Sequence, residues 1–588
     1  MAERAIRNAA AWEPRASSPW VVAPLLLLAS AALSWAYADH GLPPPDEGAY
    51  LTAASRILDG LLYYRDIDAY PFPGASYLLA LAMGIFGEHL AVARALAGGV
   101  FSVVVLGTYA AALALVDRPR AALCGLASLS LKFLAFPIFT MYFYADLAMA
   151  TSLVALAVFL RHERPGASVR LAVAGIFVGL AIVTKQNAGL YVAGAMGLLL
   201  AWPGLALRTR RGPAERLGEL AVFAASVAVP VGVMSAYFAS EGLFGRMVSS
   251  GLLRPFTGYL PASGVSFLPP LRWWEIGSWS TNAGLPYLPF FYVDLQNAGA
   301  FSTNAFGSAY SLAAEVFSRM VYTSLPVALI GCAWLRGRAR RDREPADPHQ
   351  RRRRARFFSG AVVCTAIAAS AFPRADLHHV MPIYPAVLLV LAGLGSRSAL
   401  GLGGRPTRPP RAAAWATGAL LLATGALGIR HAAMLTHHLV LERADLRVRA
   451  QDAWVEPVVR RVRAELPAGA PLFVYGHEAQ LYFLTDRYSP WPFSQLYPGM
   501  AGGDGGATLA RLLEKTRPAL VLQGIQRWPG MTSIPEYTPR LRAAIHRSYV
   551  EDTAAFFREH PPDGPLPPKV VFELWRRRGP ARAGGPIP

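Results

Sequence analysis

The sequence predicts an α-helical polytopic membrane protein that ends in a small extracytoplasmic α/β domain. Three observations predict it. Of 588 residues, 54% are hydrophobic and 16% charged, against about 25% charged in soluble proteins. Repeated apolar runs approach the ~20 residues a helix needs to cross a bilayer. The arginines gather in short stretches between those runs, as in cytoplasmic loops. The net charge of +20 is therefore a topological signal and argues against a nucleic-acid partner. Mean hydropathy is +0.32.

Taken in order, Arg4, Arg7 and Arg15 precede the first run, residues 20–38, and place the N-terminus in the cytoplasm. The triplet Ala36-Tyr37-Ala38 would suit a signal peptidase, but the run exceeds the usual 7–15-residue apolar region, so it reads as a retained span. Outside follows "GLPPPDEGAY", residues 41–50. Residues 51–68 carry Leu51, Ala54, Ile57, Leu58, Leu61 and Leu62 near helical spacing and read as an amphipathic helix on the membrane surface. Residues 71–87 are apolar, short and opened by two prolines, and read as interfacial or re-entrant. Further spans are expected at 92–116, 121–136, 143–160, 171–184, 190–205, 220–239, 312–335, 357–372, 380–394 and 412–429. With eleven spans, every arginine-rich loop falls on the cytoplasmic side.

Residues 1–430 thus form the transmembrane module and 431–588 an extracytoplasmic domain. In that domain "PLFVYG", "ALVLQ" and "KVVFELW" read as strands, and "EAQLYFLTD" and "LARLLEKTRP" as helices. The tail "RGPARAGGPIP" reads as disordered. Cys124, Cys332 and Cys364 all lie in apolar runs and give no CxxC or disulfide framework.

The topology places several ionisable groups on the outer face: Asp46 and Glu47 after the first span, Asp146 in "MYFYADLAMA", Lys185 with Gln186 in "IVTKQNAGL", and Arg374, Asp376, His378 and His379 in "AFPRADLHHVMP". Ionisable groups at membrane depth are costly unless paired and mark functional sites. Each also has a plainer reading. Asp46, Glu47 and Asp146 would serve as helix caps, Lys185 would snorkel to headgroups, Arg374 would pair with Asp376, and the histidines would sit at an interface. The loop 240–310 is rich in aromatics, Trp273, Trp274, Trp279, Tyr287 and Tyr292, suited either to sugar faces or to interfacial anchoring. No P-loop, GxSxG elbow or Rossmann fingerprint occurs, and Asp376, His378 and His379 lack a strong metal-ligand spacing. The pair Asp46–Glu47 is a weak signal for a divalent ion, and no cofactor is required.

Glycosyl transfer from a lipid-linked phosphosugar uses this set. The acceptor hydroxyl needs a carboxylate base, the anomeric carbon passes through an oxocarbenium-like state, and the departing phosphate needs Arg or Lys. A transporter or flippase is the rival reading, but neither repeated halves nor midplane charges are evident in the sequence. A non-catalytic scaffold for envelope assembly is the third.

The residues also resemble the GT-C membrane glycosyltransferases, in the branch with the RgtA/B/C/D-like domain, related to protein O-mannosyltransferases and aminoarabinose transferases. The resemblance is carried by "PPPDEGAY", "YPFPGASYLLALAMGIFG", "YFYADLAMA", "LAIVTKQNAGL", "FPRADLHHVMPIYP" and "PLFVYGHEAQLYFLTDRYSPWPFSQLYPGM", in that order, to about residue 530. It implies an inverting hexosyl- or pentosyltransferase of the cell membrane. The donor would be a polyprenyl-phosphate sugar and the acceptor an envelope glycan, lipid or protein. It further implies Asp46 as base with Glu47 beside it, Asp146 lining the cavity, and Lys185 and Arg374 near the carrier phosphate; with these, Glu47, Asp146 and Asp376 are expected to order sugar or acceptor, His378 to help hold phosphate, and Gln186 to bind substrate. One departure stands out: relatives carry an acidic–basic pair before the double proline, whereas "DAYPFPG" has no lysine. The missing cation would come from elsewhere, such as Arg65 or Lys185.

Overall fold

The structure, a computed structural model, describes residues 18–162, 168–202, 212–260, 265–277, 279, 286–288, 305–341, 348–396, 399–400, 411–497, 500, 503–524, 533–554, 556 and 572–578. The three N-terminal arginines, Tyr292 and the tail lie outside the described residues.

The main helices are α1 Pro19–Ala36, α2 Pro45–Leu58, α3 Gly74–Phe86, α4 Leu90–Leu115, α5 Arg118–Leu129, α6 Tyr144–Phe159, α7 Val169–Thr184, α8 Gln186–Ala201, α9 Pro213–Ser240, α10 Ala305–Arg341, α11 Pro348–Ala369, α12 Tyr384–Leu394 and α13 Arg411–Ala433. The C-terminal part follows as β1 His437–Leu441, β2 Ala444–Val448, α14 Val455–Glu465, β3 Phe473–Tyr475, α15 Gln480–Thr485, α16 Ala507–Thr516, β4 Leu520–Gly524, α17 Pro539–Ser548, β5 Tyr549–Glu551 and β6 Phe572–Arg577.

Each expected span holds a helix. Six stretches among the described residues are long and apolar enough to cross a membrane: α1, α4, Leu312–Arg338 within α10, Leu377–Leu394 ending in α12, α9 and α13. The other expected spans are shorter or more charged. At 121–136 the expected single helix stops at Leu129 and resumes for one turn, Leu131–Leu134. At ~1.5 Å per residue, the 13 residues of α3 reach only about 20 Å. α3 buries Ala75, Leu79 and Met83 and exposes Leu81, Ile85 and Phe86.

The chain forms two compact units. The first comprises Met1–Tyr37, Ala97–Ser240 and Val265–Arg430. Its helices approach through small residues, the usual device where lipid removes the hydrophobic drive between helices. Gly175 and Gly179 on α7 meet α9, where a Cβ on Gly179 would fall 2.5 Å from the Val227 carbonyl oxygen. Ser30 of α1 bonds Ser102 of α4 at 3.0 Å, and Gly98 receives Ser34. Outward, Leu25 and Leu28 of α1 and Val229 and Val233 of α9 are exposed, as a lipid-facing surface would be.

The second unit comprises Ala38–Leu96, Glu241–Gly264 and His431–Pro588. It therefore contains two earlier stretches besides the C-terminal residues that the sequence marks off. Its sheet has the order β3-β4-β6-β5, with β3 and β4 parallel and the other pairs antiparallel. Val474 registers with Leu522, and Leu522 with Leu574. Leu509, Leu513, Leu541 and Ile545 of α16 and α17 share a core with Phe473, Val521 and Trp575. On α14, Val455, Val458, Val459 and Val462 are buried at helical spacing. The hairpin β1–β2 pairs Leu439 with Leu446.

The expected surface helix at 51–68 is corrected. The helix begins at Pro45, a residue pre-set for a first turn, and ends at Leu58. Glu47, Gly48 and every residue from Tyr50 to Arg56 are buried. Small residues explain this: Gly48 lies against the start of α15, where a Cβ would fall 2.2 Å from the Gln480 backbone nitrogen. Thr52 then donates to the Ala479 carbonyl at 3.0 Å. Helical spacing of apolar residues cannot distinguish such a helix from one lying on a membrane.

Candidate active site

In the second unit, α2 opens on Asp46 and Glu47, both in its positive first turn. They have different surroundings. Glu47 is wholly enclosed and pairs with Arg94 of α4: Nη2 lies 3.1 Å from Oε2 and Nε 3.4 Å from Oε1. Arg94 also donates to the carbonyls of Ala38, His40 and Gly41 at 3.1, 2.8 and 2.9 Å. This arrangement braces the turn into α2 and gives no support to a sugar-ordering role for Glu47.

Asp46 is half-buried, and its Oδ1 accepts from Gln495 Nε2 at 3.3 Å and from Tyr497 Oη at 3.4 Å. The Tyr497 ring stacks on His477, centroids 4.6 Å apart. Leu496, between the two donors, is pinned on both sides. Its N–H donates to the Gly476 carbonyl just past β3, and its carbonyl accepts from Tyr537 Oη.

Beside His477, Glu478 is buried, and among the described residues its Oε2 has no hydrogen-bond partner. Its carboxylate occupies the space above Gly476 and Gly524, at the carboxyl ends of the parallel strands β3 and β4, where a Cβ would fall 2.0 and 2.1 Å from Oε2. Burial pushes this carboxyl up to about 7, against the pull of the backbone N–H groups of Glu478 and His477.

Asp68, the first residue of "DAYPFPG", is paired with Arg254. Arg254 Nη1 lies 2.7 Å from Asp68 Oδ2, which also accepts from Ser250 at 3.0 Å. Ser250 lies on the first of two successive π-helical turns, Ser249–Leu253 and Pro255–Tyr259, and Arg254 joins them; the form is rare and recurs at functional sites. Arg254 stacks over Phe493 at 5.1 Å. Arg65, which is exposed, pairs instead with its neighbour Asp66.

The first unit holds the other expected residues. Asp146, in the first turn of α6, is buried, its Oδ1 has no partner among the described residues, and the nearby charges are Lys132 and Lys185. Lys185 is the extended joint between α7 and α8, with Nζ 5.5 Å from the Tyr144 ring centroid. Gln186 opens α8. Asn187 ties this joint to the turn between α11 and α12 by donating to the carbonyls of Ser370 and Phe372, each at 3.2 Å.

In that turn Arg374 Nε donates to Asp376 Oδ2. Asp376 Oδ1 accepts the His379 N–H at 3.0 Å and lies 2.6 Å from His379 Nδ1. Asp376 thus caps its turn and neutralises Arg374, the plainer reading of that pair. His378 meets Phe143 edge-on at 4.9 Å.

Lys132, passed over in the sequence, is fully buried, donates to the Phe139 carbonyl at 2.6 Å and lies over Phe101. A lysine inside "LASLSLKFLAF" was itself a signal. Of the loop aromatics, Trp279 stacks on Tyr287 beneath Arg319, and Trp273 bonds Thr323 at 2.8 Å, whereas Trp274 is exposed. Among the described residues no three His, Cys, Asp or Glu side chains stand together as a metal site.

No family model and no curated protein matches the chain. Solved structures do. The crystal structure of ArnT from Cupriavidus metallidurans bound to undecaprenyl phosphate is similar at a TM-score of 0.45 and 16% identity, covering 97% of this chain and 99% of that one. Its apo state gives 0.41 and 14%, covering 95% and 98%. The oligosaccharyltransferase AglB from Archaeoglobus fulgidus, with an inhibitory peptide and a dolichol-phosphate, gives 0.44 and 12%, covering 92% and 74%.

Proposed function

We propose that this chain is an integral-membrane inverting glycosyltransferase. It moves a hexose or pentose from a polyprenyl-phosphate donor to an extracytoplasmic hydroxyl on a glycan, lipid or protein. The observation that carries this reading is Asp46: a carboxylate in the first turn of a helix, eight residues past the first span (the tenth after Ala36), with two donors aimed at one of its oxygens. The acceptor oxygen attacks the anomeric carbon, and the bond from that carbon to the phosphate oxygen breaks. The hydroxyl proton passes to Asp46, and polyprenyl phosphate departs with the bonding pair. A single displacement inverts the anomeric centre. In the unit that holds Asp46, Arg254 is proposed for the role of the missing lysine.

The test is Asp46→Asn, assayed in membranes with radiolabelled undecaprenyl-phosphate sugars and native envelope as acceptor. Loss of the base lowers transfer about 10²–10⁴-fold. Near-full activity removes Asp46 from the role. A second reading, a lipid carrier, is favoured by the buried group Lys132, Asp146 and Lys185. It requires movement of the intact donor between leaflets with no sugar–phosphate cleavage, which the same labelled donors report.

A further inference from the structure

We infer that Gln495 and Tyr497 are positioning residues for Asp46, so that a loop of the C-terminal α/β fold completes the catalytic group. The inference rests on Asp46 being the base. Gln495 is 7% exposed, and among the described residues its side chain makes one hydrogen bond, the one to Asp46. A buried amide is costly unless it is bonded, so this glutamine is matched to that carboxylate. Tyr497 donates to the same oxygen. Two donors on Oδ1 fix the plane of the carboxylate. The donors are themselves held: Leu496 between them is pinned by Gly476 and Tyr537, and the Tyr497 ring is braced by His477. At 3.3 and 3.4 Å these bonds are long, as catalytic hydrogen bonds often are before substrate binds.

Nothing near these residues in the sequence supplies the fit, because they lie 449 and 451 positions from Asp46. The pairing therefore assigns the stretch "SQLY", residues 494–497, a positioning part in the reaction. Misplacing a reacting group by about 1 Å costs on the order of 100-fold in rate.

The experiment compares Tyr497→Phe, Gln495→Leu and Gln495→Glu with Asp46→Asn in the same membranes, with undecaprenyl-phosphate hexose and pentose as labelled donors. Tyr497→Phe keeps the ring on His477 and deletes only the hydroxyl. Gln495→Glu keeps the shape and puts a like charge against Asp46. The expected result is a maximal rate about 10- to 100-fold lower for each variant, Gln495→Glu being the slowest, with the half-saturating donor concentration within twofold of the parent. A raised half-saturating concentration at unchanged maximal rate would make these substrate contacts and overturn the inference. So would full activity in all three variants while Asp46→Asn is inactive, which leaves the base reading standing. Activity in Asp46→Asn sinks both. Thermal unfolding of each variant guards against misfolding, and Tyr497→Phe carries the test if Gln495→Leu fails to fold.

Discussion

Replacing Arg94 with leucine isolates what holds the turn into α2. The side chains of Arg94 and Glu47 are 1% and 0% exposed. The guanidinium serves both Glu47 oxygens and three carbonyls, those of Ala38, His40 and Gly41. Leucine fills part of the space and satisfies none of them. Removing one partner of a buried ion pair costs about 3–5 kcal/mol, because the other charge is left without compensation. For a folding unit of about 150–250 residues, 1 kcal/mol moves the melting midpoint by about 2–4 °C. Arg94→Leu should therefore lower the midpoint by about 6–20 °C, read by tryptophan fluorescence of the detergent-purified protein at fixed heating rate. The double variant Glu47→Leu/Arg94→Leu should recover part of that loss, since it buries no unpaired carboxylate. A fall of less than about 3 °C in the single variant would place the pair on the scale of an exposed salt bridge and refute the bracing role.

Other outcomes follow from the same geometry. Burial raises the Glu478 carboxyl from its ordinary 4.5 to about 7, so stability is greatest below about pH 4.5 and falls as pH rises through about 7. The loss is on the order of 3 kcal/mol, and Glu478→Gln should flatten the dependence of the melting midpoint on pH across that window. Gly48→Ala would set a methyl 2.2 Å from the Gln480 backbone nitrogen. It should cost at least about 1–3 kcal/mol of stability as an overpacked contact and also slow transfer, since α2 carries Asp46; normal stability and rate together would disprove the tight seat of α2 on α15. Asp46→Asn, described above, is the functional counterpart.

Legibility followed the range of the interactions involved. Apolar runs announced the long helices, because lipid-length segments are a local property of the chain. The strands at 473–475 and 520–524 and the helices α15 and α16 were readable for the same reason. The hairpin β1–β2 and α14 were passed over: "HHLVL" and "ADLRV" are five-residue strands that become distinctive only when paired. The start of α2 was misplaced because three prolines suggested a loop, although one of them is the first helical residue. At the site, Asp46, Asp146 and Lys185 were conspicuous as charges amid apolar neighbours. Arg94, Arg254, Gln495 and Tyr497 were not, because their partners lie 47, 186, 449 and 451 residues away.

The second unit is stitched from three stretches, the last beginning at His431. During synthesis, Asp46 emerges about 20–90 s before Gln495, at ~5–20 residues per second. Until the ribosome has passed that codon, the helix bearing the acid lacks its buried mate Gln480 as well. A chain released before that codon would lack both donors on Asp46, so the transfer proposed above would depend on the chain's final quarter.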